Sequence, residues 1–258
     1  MLCTLLYIYQ CRCNRMTKNL QLKSKNYVEL TIEHENDSVV LIFPGGGYQY
    51  TSEREGEVVA SKYRAEGFNT AIYHYREEKL LYPETTLESY EVLKLLKDNG
   101  FKQIFLLGFS AGGHLALHTT IQYKNLIQGL ILAYPVISTD EDSIHQGSFN
   151  NLLGDRDYYR NEVSLEKIIT RKLPPSYIWH TKTDLSVPIS NSYKLVQALE
   201  LTKTVYQFRV FEHGPHGLSL ATKEVSQPNI DPQVFEDTYK DVAIWFKESV
   251  DFLKSIKK

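Results

Sequence analysis

Ser110, in the stretch GFSAGGHLA (Gly108–Ala116), stands between two apolar segments. FKQIFLL (Phe101–Leu107) reads as a buried strand and AGGHLALHTTI (Ala111–Ile121) as a helix. Serine at such a junction can cap the helix, its hydroxyl accepting a first-turn N–H. It can equally be a nucleophile on a sharp strand-to-helix turn. That second geometry, unlike the first, demands residues with almost no side chain two places before and two places after, and Gly108 and Gly112 stand there. A serine nucleophile also needs a base within hydrogen-bond reach and a carboxylate to orient the base. HTKTDLSVP supplies Asp184 and FEHGPHGLS supplies His216, with His213 on the same stretch as the alternative base. Acyl transfer further requires N–H donors facing the developing oxyanion. Ala111, directly after the serine, offers one. VVLIFPGGGYQY sets three glycines beyond an apolar run, and Gly46 and Gly47 are the candidates for the second, with Tyr48 a candidate pocket wall. The glycine run lacks the spacing of a dinucleotide or P-loop motif, and no Gly-Lys-Ser follows it.

These residues work together only if the fold delivers them to one edge. Strands are predicted at Tyr27–Glu33, Ser38–Phe43, Asn69–Tyr75, Phe101–Leu107, Ile127–Tyr134, Ser176–His180 and Val205–Phe211. Helical patterns lie between them at Glu55–Glu66, Thr86–Asn99, Ala111–Tyr123 and Ser190–Leu201, with a final amphipathic helix over Pro232–Ile256. Such alternation is the pattern of a mostly parallel sheet with crossover helices. Ser110, Asp184 and His216 then all follow the C-terminal ends of strands, where open α/β sheets bind ligands. His114 and His118 fall on the helix after Ser110 and read as hydrogen-bonded helix residues; Asp155 and Asp157 read as solvated loop residues. The stretch Ser138–Pro175 is polar and weakly periodic, and is expected to be a cap-like or pocket-forming insertion in one domain spanning 27–258.

Length and composition fit that reading: 258 residues, 42% hydrophobic and 23% charged, suffice for one α/β domain with a substantial core. A formal charge of −2 and 18 scattered tyrosines give no basic, base-stacking surface, so no nucleic-acid partner is expected. Cys3, Cys11 and Cys13 are the whole cysteine complement and lie together at the N-terminus, leaving no disulfide framework and no zinc or other metal site for the domain. MLCTLLYIYQ has no basic n-region or small-residue cleavage site and is too short to span a bilayer, so a cytoplasmic protein with no membrane partner is expected. Residues 1–26 read as a lead-in, of which 1–15, preceding Met16, are expected to be a dispensable start-site extension.

From Ser38 to Lys254 the chain resembles the α/β-hydrolase carboxylesterases, in particular the bacterial acetyl-esterase and acetylxylan-esterase-like proteins. The matching segments are PGGGY, the Tyr75-Arg76 pair, GFSAGGHLA, LAYPVIS, PPSYIWHTKTDLSVP and EHGPHGLSLA. The resemblance implies a mostly parallel twisted sheet of about eight strands with helices on both faces. It implies a Ser110–His216–Asp184 triad, in the family's chain order of Ser, Asp, His, and favours His216 over His213. It also implies no cofactor and a small-molecule ester as substrate, with short acyl groups and acetylated sugars foremost. One departure is Pro44, which stands where related lipases and esterases carry His; it leaves open which of Gly45, Gly46 and Gly47 donate. A peptidase of the prolyl-oligopeptidase type and a non-catalytic binding protein on the same fold are the alternatives, and a homo-oligomer is left open.

Overall fold

The computed structural model describes residues 15–257. Its strands are β1 (Met16–Gln21), β2 (Tyr27–Ile32), β3 (Ser38–Phe43), β4 (Asn69–His74), β5 (Gln103–Phe109), β6 (Gly129–Ala133), β7 (Ser176–Thr181) and β8 (Tyr206–Phe211). They form one sheet in the order β1-β2-β4-β3-β5-β6-β7-β8. The β1–β2 and β2–β4 pairings are antiparallel, and every pairing from β4 to β8 is parallel. Strands β3, β6 and β7 are buried along their whole length, and β5 in all but its first residue, because helices cover both faces and their side chains must be apolar on each. Alternate residues feed two cores. Val39, Leu41 and Phe43 of β3 face the side covered by α2 (Glu84–Asp98), α3 (Ser110–Tyr123) and α6 (Ser190–Leu201). Val40 and Ile42 face the side covered by α1 (Glu57–Ala65), α7 (Pro232–Tyr239) and α8 (Ile244–Ile256).

The sequence anticipates this architecture and differs from it in three places. The lead-in contains β1, an edge strand paired residue for residue with β2. It is mostly exposed and its sequence, MTKNLQ, has almost no apolar alternation to betray it. The stretch 138–175 carries two short helices, α4 (Gln146–Leu153) and α5 (Leu165–Ile168). The expected long terminal helix is broken between Tyr239 and Ile244, and Phe235 and Trp245, on either side of the break, are both fully buried. Cys3, Cys11, Cys13 and nearly all of the expected extension at 1–15 lie outside the described residues. Among the described residues, no helix is long and apolar enough to cross a membrane, and no three His, Cys, Asp or Glu side chains group as metal ligands.

Candidate active site

Strand β5 runs two residues beyond its expected end and delivers the chain directly to Ser110, which opens α3 with φ of +52°. A non-glycine residue in this left-handed region is strained, and such strain is typical of a functional turn. The flanking glycines show why the turn is this tight. A Cβ on Gly112 would lie 2.1 Å from the Phe43 carbonyl oxygen, and one on Gly108 would lie 2.6 Å from that of Gly112. No side-chain cap bond is made at the start of α3. The Ser110 Oγ instead lies 2.7 Å from His216 Nε2, so the hydroxyl is spent on an imidazole and not on the helix.

His216 occupies the loop after β8, and its Nδ1 lies 2.7 Å from Asp184 Oδ2. Asp184 follows β7. Its other oxygen, Oδ1, accepts the N–H groups of Ser186 and Val187 at 3.0 and 2.9 Å, which fixes the carboxylate in a turn of its own making. Burial opposes its charge, but hydrogen bonds from His180 and His216, with the Val187 N–H, outweigh that and hold the carboxyl well below the ordinary range. Asp184 is therefore an anion that selects the Nδ1–H tautomer of His216 and leaves Nε2 free to accept the serine proton. The structure thus brings Ser110, His216 and Asp184 into one chain and leaves His213 exposed on the same loop.

The Ser110 hydroxyl faces a cavity of about 390 Å³ that is also lined by Gly46 and Gly47. The Gly45 N–H donates to Glu55 Oε2 at 2.7 Å and is thereby occupied. Among the described residues the N–H groups of Gly46, Gly47 and Ala111 donate to nothing. Gly46 and Gly47 have φ of +124° and +62°, and the Gly47 carbonyl is held by Asn151 of α4 at 2.9 Å. Tyr48 is a correction. Its own φ of +58°, continuing the left-handed turn of Gly47, sends the ring inward, where it is 1% exposed and its hydroxyl lies 2.8 Å from His114 Nδ1. Tyr48 therefore belongs to the core and not to the cavity wall.

Sequence reasoning missed a buried polar layer beneath the site. Glu55 accepts the Gly45 N–H and the Tyr134 hydroxyl, the latter at 2.5 Å, and that hydroxyl in turn accepts the Ser219 N–H at 2.9 Å. One carboxylate thus ties the glycine loop, the end of β6 and the loop that carries His216. Burial pushes Glu55 above the ordinary carboxyl range, against the bonds from Tyr134 and Gly45 and the charges of His216 and Arg54. Arg54 itself donates to the carbonyls of Gly217 and Val225. Nothing in TSEREGE marks a buried glutamate, because charged residues in a helix-like stretch read as solvated. His114 and His118 are buried on α3, where burial lowers them to about 4 and about 3, and neither faces the cavity. Asp155 and Asp157 are exposed.

Residues 40–220 match the alpha/beta hydrolase fold family. An endo-1,4-beta-xylanase B from Butyrivibrio fibrisolvens is 32% identical over 218 residues, which are 73% of this chain and 34% of that protein. An acetylxylan esterase from Xylanibacter ruminicola is 26% identical over 211 residues, 74% of this chain and 43% of that protein. The chain therefore spans only about a third to somewhat under half the length of these relatives. Among solved structures, an acetyl ester-xyloside bifunctional hydrolase from Caldicellulosiruptor lactoaceticus superposes with a TM-score of 0.70 at 26% identity, covering 84% of this chain and 88% of the other.

Proposed function

The chain belongs to the alpha/beta hydrolase fold family, and on that premise we propose that it is a serine ester hydrolase that removes short acyl groups, acetyl foremost, from hydroxyl-rich alcohols such as acetylated xylo-oligosaccharides. The observation that carries this reading is the relay Ser110–His216–Asp184, with 2.7 Å at each link, opening onto a cavity beside three unoccupied backbone N–H groups. A base at this distance can remove the serine proton as Oγ attacks an ester carbonyl. The imidazolium that forms is stabilised by Asp184, which stays ionised. The carbonyl oxygen, becoming an oxyanion, accepts from Ala111 and from Gly46 or Gly47. His216 Nε2 then returns its proton to the departing alcohol oxygen, leaving an acyl-serine. A water molecule, deprotonated by the same nitrogen, releases the acid and restores Ser110.

The cavity's lining supports the substrate class. Of its fourteen residues none is aliphatic, and the side chains present are those of Gln, Tyr, Ser, Arg, Glu, His and Asn. A long acyl chain gains about 0.8 kcal/mol for each methylene it buries in apolar surroundings. Apart from the Tyr50 ring, no side chain of this wall is such a partner. The names of the xylan-active relatives agree with a polar alcohol. The test is release of acetate from acetylated xylo-oligosaccharides. Turnover there and on p-nitrophenyl acetate is expected, and no hydrolysis of either would overturn the reading.

A further inference from the structure

His145 stands at the N-terminus of α4, on the wall of the same cavity as Ser110 and His216. Its Nδ1 is engaged by Ser148, whose backbone N–H lies at 3.2 Å and whose Oγ lies at 2.7 Å. A backbone N–H can only donate, so Nδ1 accepts, and a neutral ring then carries its proton on Nε2. Burial, together with the positive charge of a protonated His216, holds the ring below the ordinary imidazole range, with Asp184 pulling the other way. Among the described residues the protein gives Nε2 no hydrogen bond, and the atom is not among the buried unpartnered ones, so it is open to the cavity. A donor on a half-buried ring, open to the cavity that holds Ser110 and His216 and left without a protein partner, is placed to meet a ligand atom.

The chemistry of an ester limits which atom that is. An acetyl group has one polar atom, its carbonyl oxygen, and the oxyanion donors take it. The departing oxygen belongs to His216 Nε2. A further donor near both His216 and the glycine loop therefore meets the alcohol half, beyond the scissile oxygen. The ring is beside that loop: a Cβ built on Gly47 would lie 3.9 Å from His145 Cε1. On the basis of the ester-hydrolase reading, we infer that His145 is the recognition residue for the alcohol, donating Nε2–H to a hydroxyl neighbouring the acylated position of a sugar or other polyol. Gln49 and Ser186, exposed on the same wall with no side-chain hydrogen bond among the described residues, provide for further hydroxyls.

The test separates recognition from helix capping. Asparagine is a favoured helix N-cap, so His145→Asn keeps a cap on α4 while withdrawing the donor from the cavity; His145→Ala removes both. The quantity read is selectivity, kcat/KM for acetylated xylobiose divided by kcat/KM for p-nitrophenyl acetate, whose alcohol has no hydroxyl beside the ester. One hydrogen bond contributes about 0.5–1.5 kcal/mol, so both variants are expected to lose about two- to twelvefold in that ratio. A ratio equal to that of the unaltered protein in His145→Asn would overturn the inference, since capping alone would then explain the residue. A loss shared equally by the two esters would overturn it too and leave the ester-hydrolase reading standing. No turnover of either ester by the unaltered protein would remove both.

Discussion

At the scale of single residues, the proposed triad is a set of mutually dependent protonation states. Asp184→Asn would leave the shape of the site but lose the anion that selects the His216 tautomer, and kcat is expected to fall roughly 10⁴-fold. His213→Ala, removing an exposed ring, is expected to be close to neutral, and steady-state kinetics of the two variants check the pair. His118 gives a second prediction. Its pKa is lowered to about 3 in the fold by burial, against an ordinary value of 6.5. Between those values the unfolded chain binds a proton that the folded chain does not. The stabilisation is therefore complete above about pH 6.5 and is lost as pH falls, by about 1.4 kcal/mol per unit, until the folded value is reached. His114, lowered to about 4, acts in the same window and with the same sign. Thermal melting between pH 7 and pH 4 should show His118→Gln losing Tm less steeply than the unaltered protein; parallel slopes would contradict this. That Ser110, Asp184 and His216 meet was legible because chemistry restricts the types of a candidate relay and strand ends restrict their positions. Glu55 and His145 were not, because hydrogen bonding to Gly45, Tyr134 and Ser148 is a property of the assembled loops.

At the scale of elements, the elbow depends on how closely α3 approaches the end of β3. Gly112→Ala would place a methyl group 2.1 Å from the Phe43 carbonyl and 2.4 Å from that of Pro44, so α3 must move. Overpacking of this kind costs about 1–3 kcal/mol, a fall in Tm of roughly 2–12 °C for a domain of this size. Activity should fall further than stability, since the displaced turn carries Ser110. A Gly112→Ala protein with unaltered Tm and turnover would mean that the turn relaxes without consequence. The central strands were legible because burial on both faces makes them continuous apolar runs, as in LLGF and LILA. Strand β1 was hidden because an edge strand needs little apolar surface, and α4 because eight residues give too few turns for periodicity to declare itself. Tyr48 was misread for a related reason: neighbours in sequence share a loop, but the left-handed turn at Gly47 and Tyr48 decides which way the ring points.

At the scale of the whole molecule, one sheet edge gathers loops from the ends of β3, β5, β7 and β8, and α4 closes over them with Asn151 and His145. A wall without aliphatic side chains predicts that kcat/KM for p-nitrophenyl esters peaks at acetate to butyrate and falls by octanoate. A maximum at octanoate or palmitate would contradict the polar cavity. Ser110 as the nucleophile is tested most directly by treating the folded protein with a fluorophosphonate and mapping the adduct by mass spectrometry. One adduct per chain, on Ser110, is expected, with loss of ester hydrolysis in proportion to labelling and no adduct on a folded Ser110→Ala variant. Labelling at another residue, or full turnover by Ser110→Ala, would contradict it.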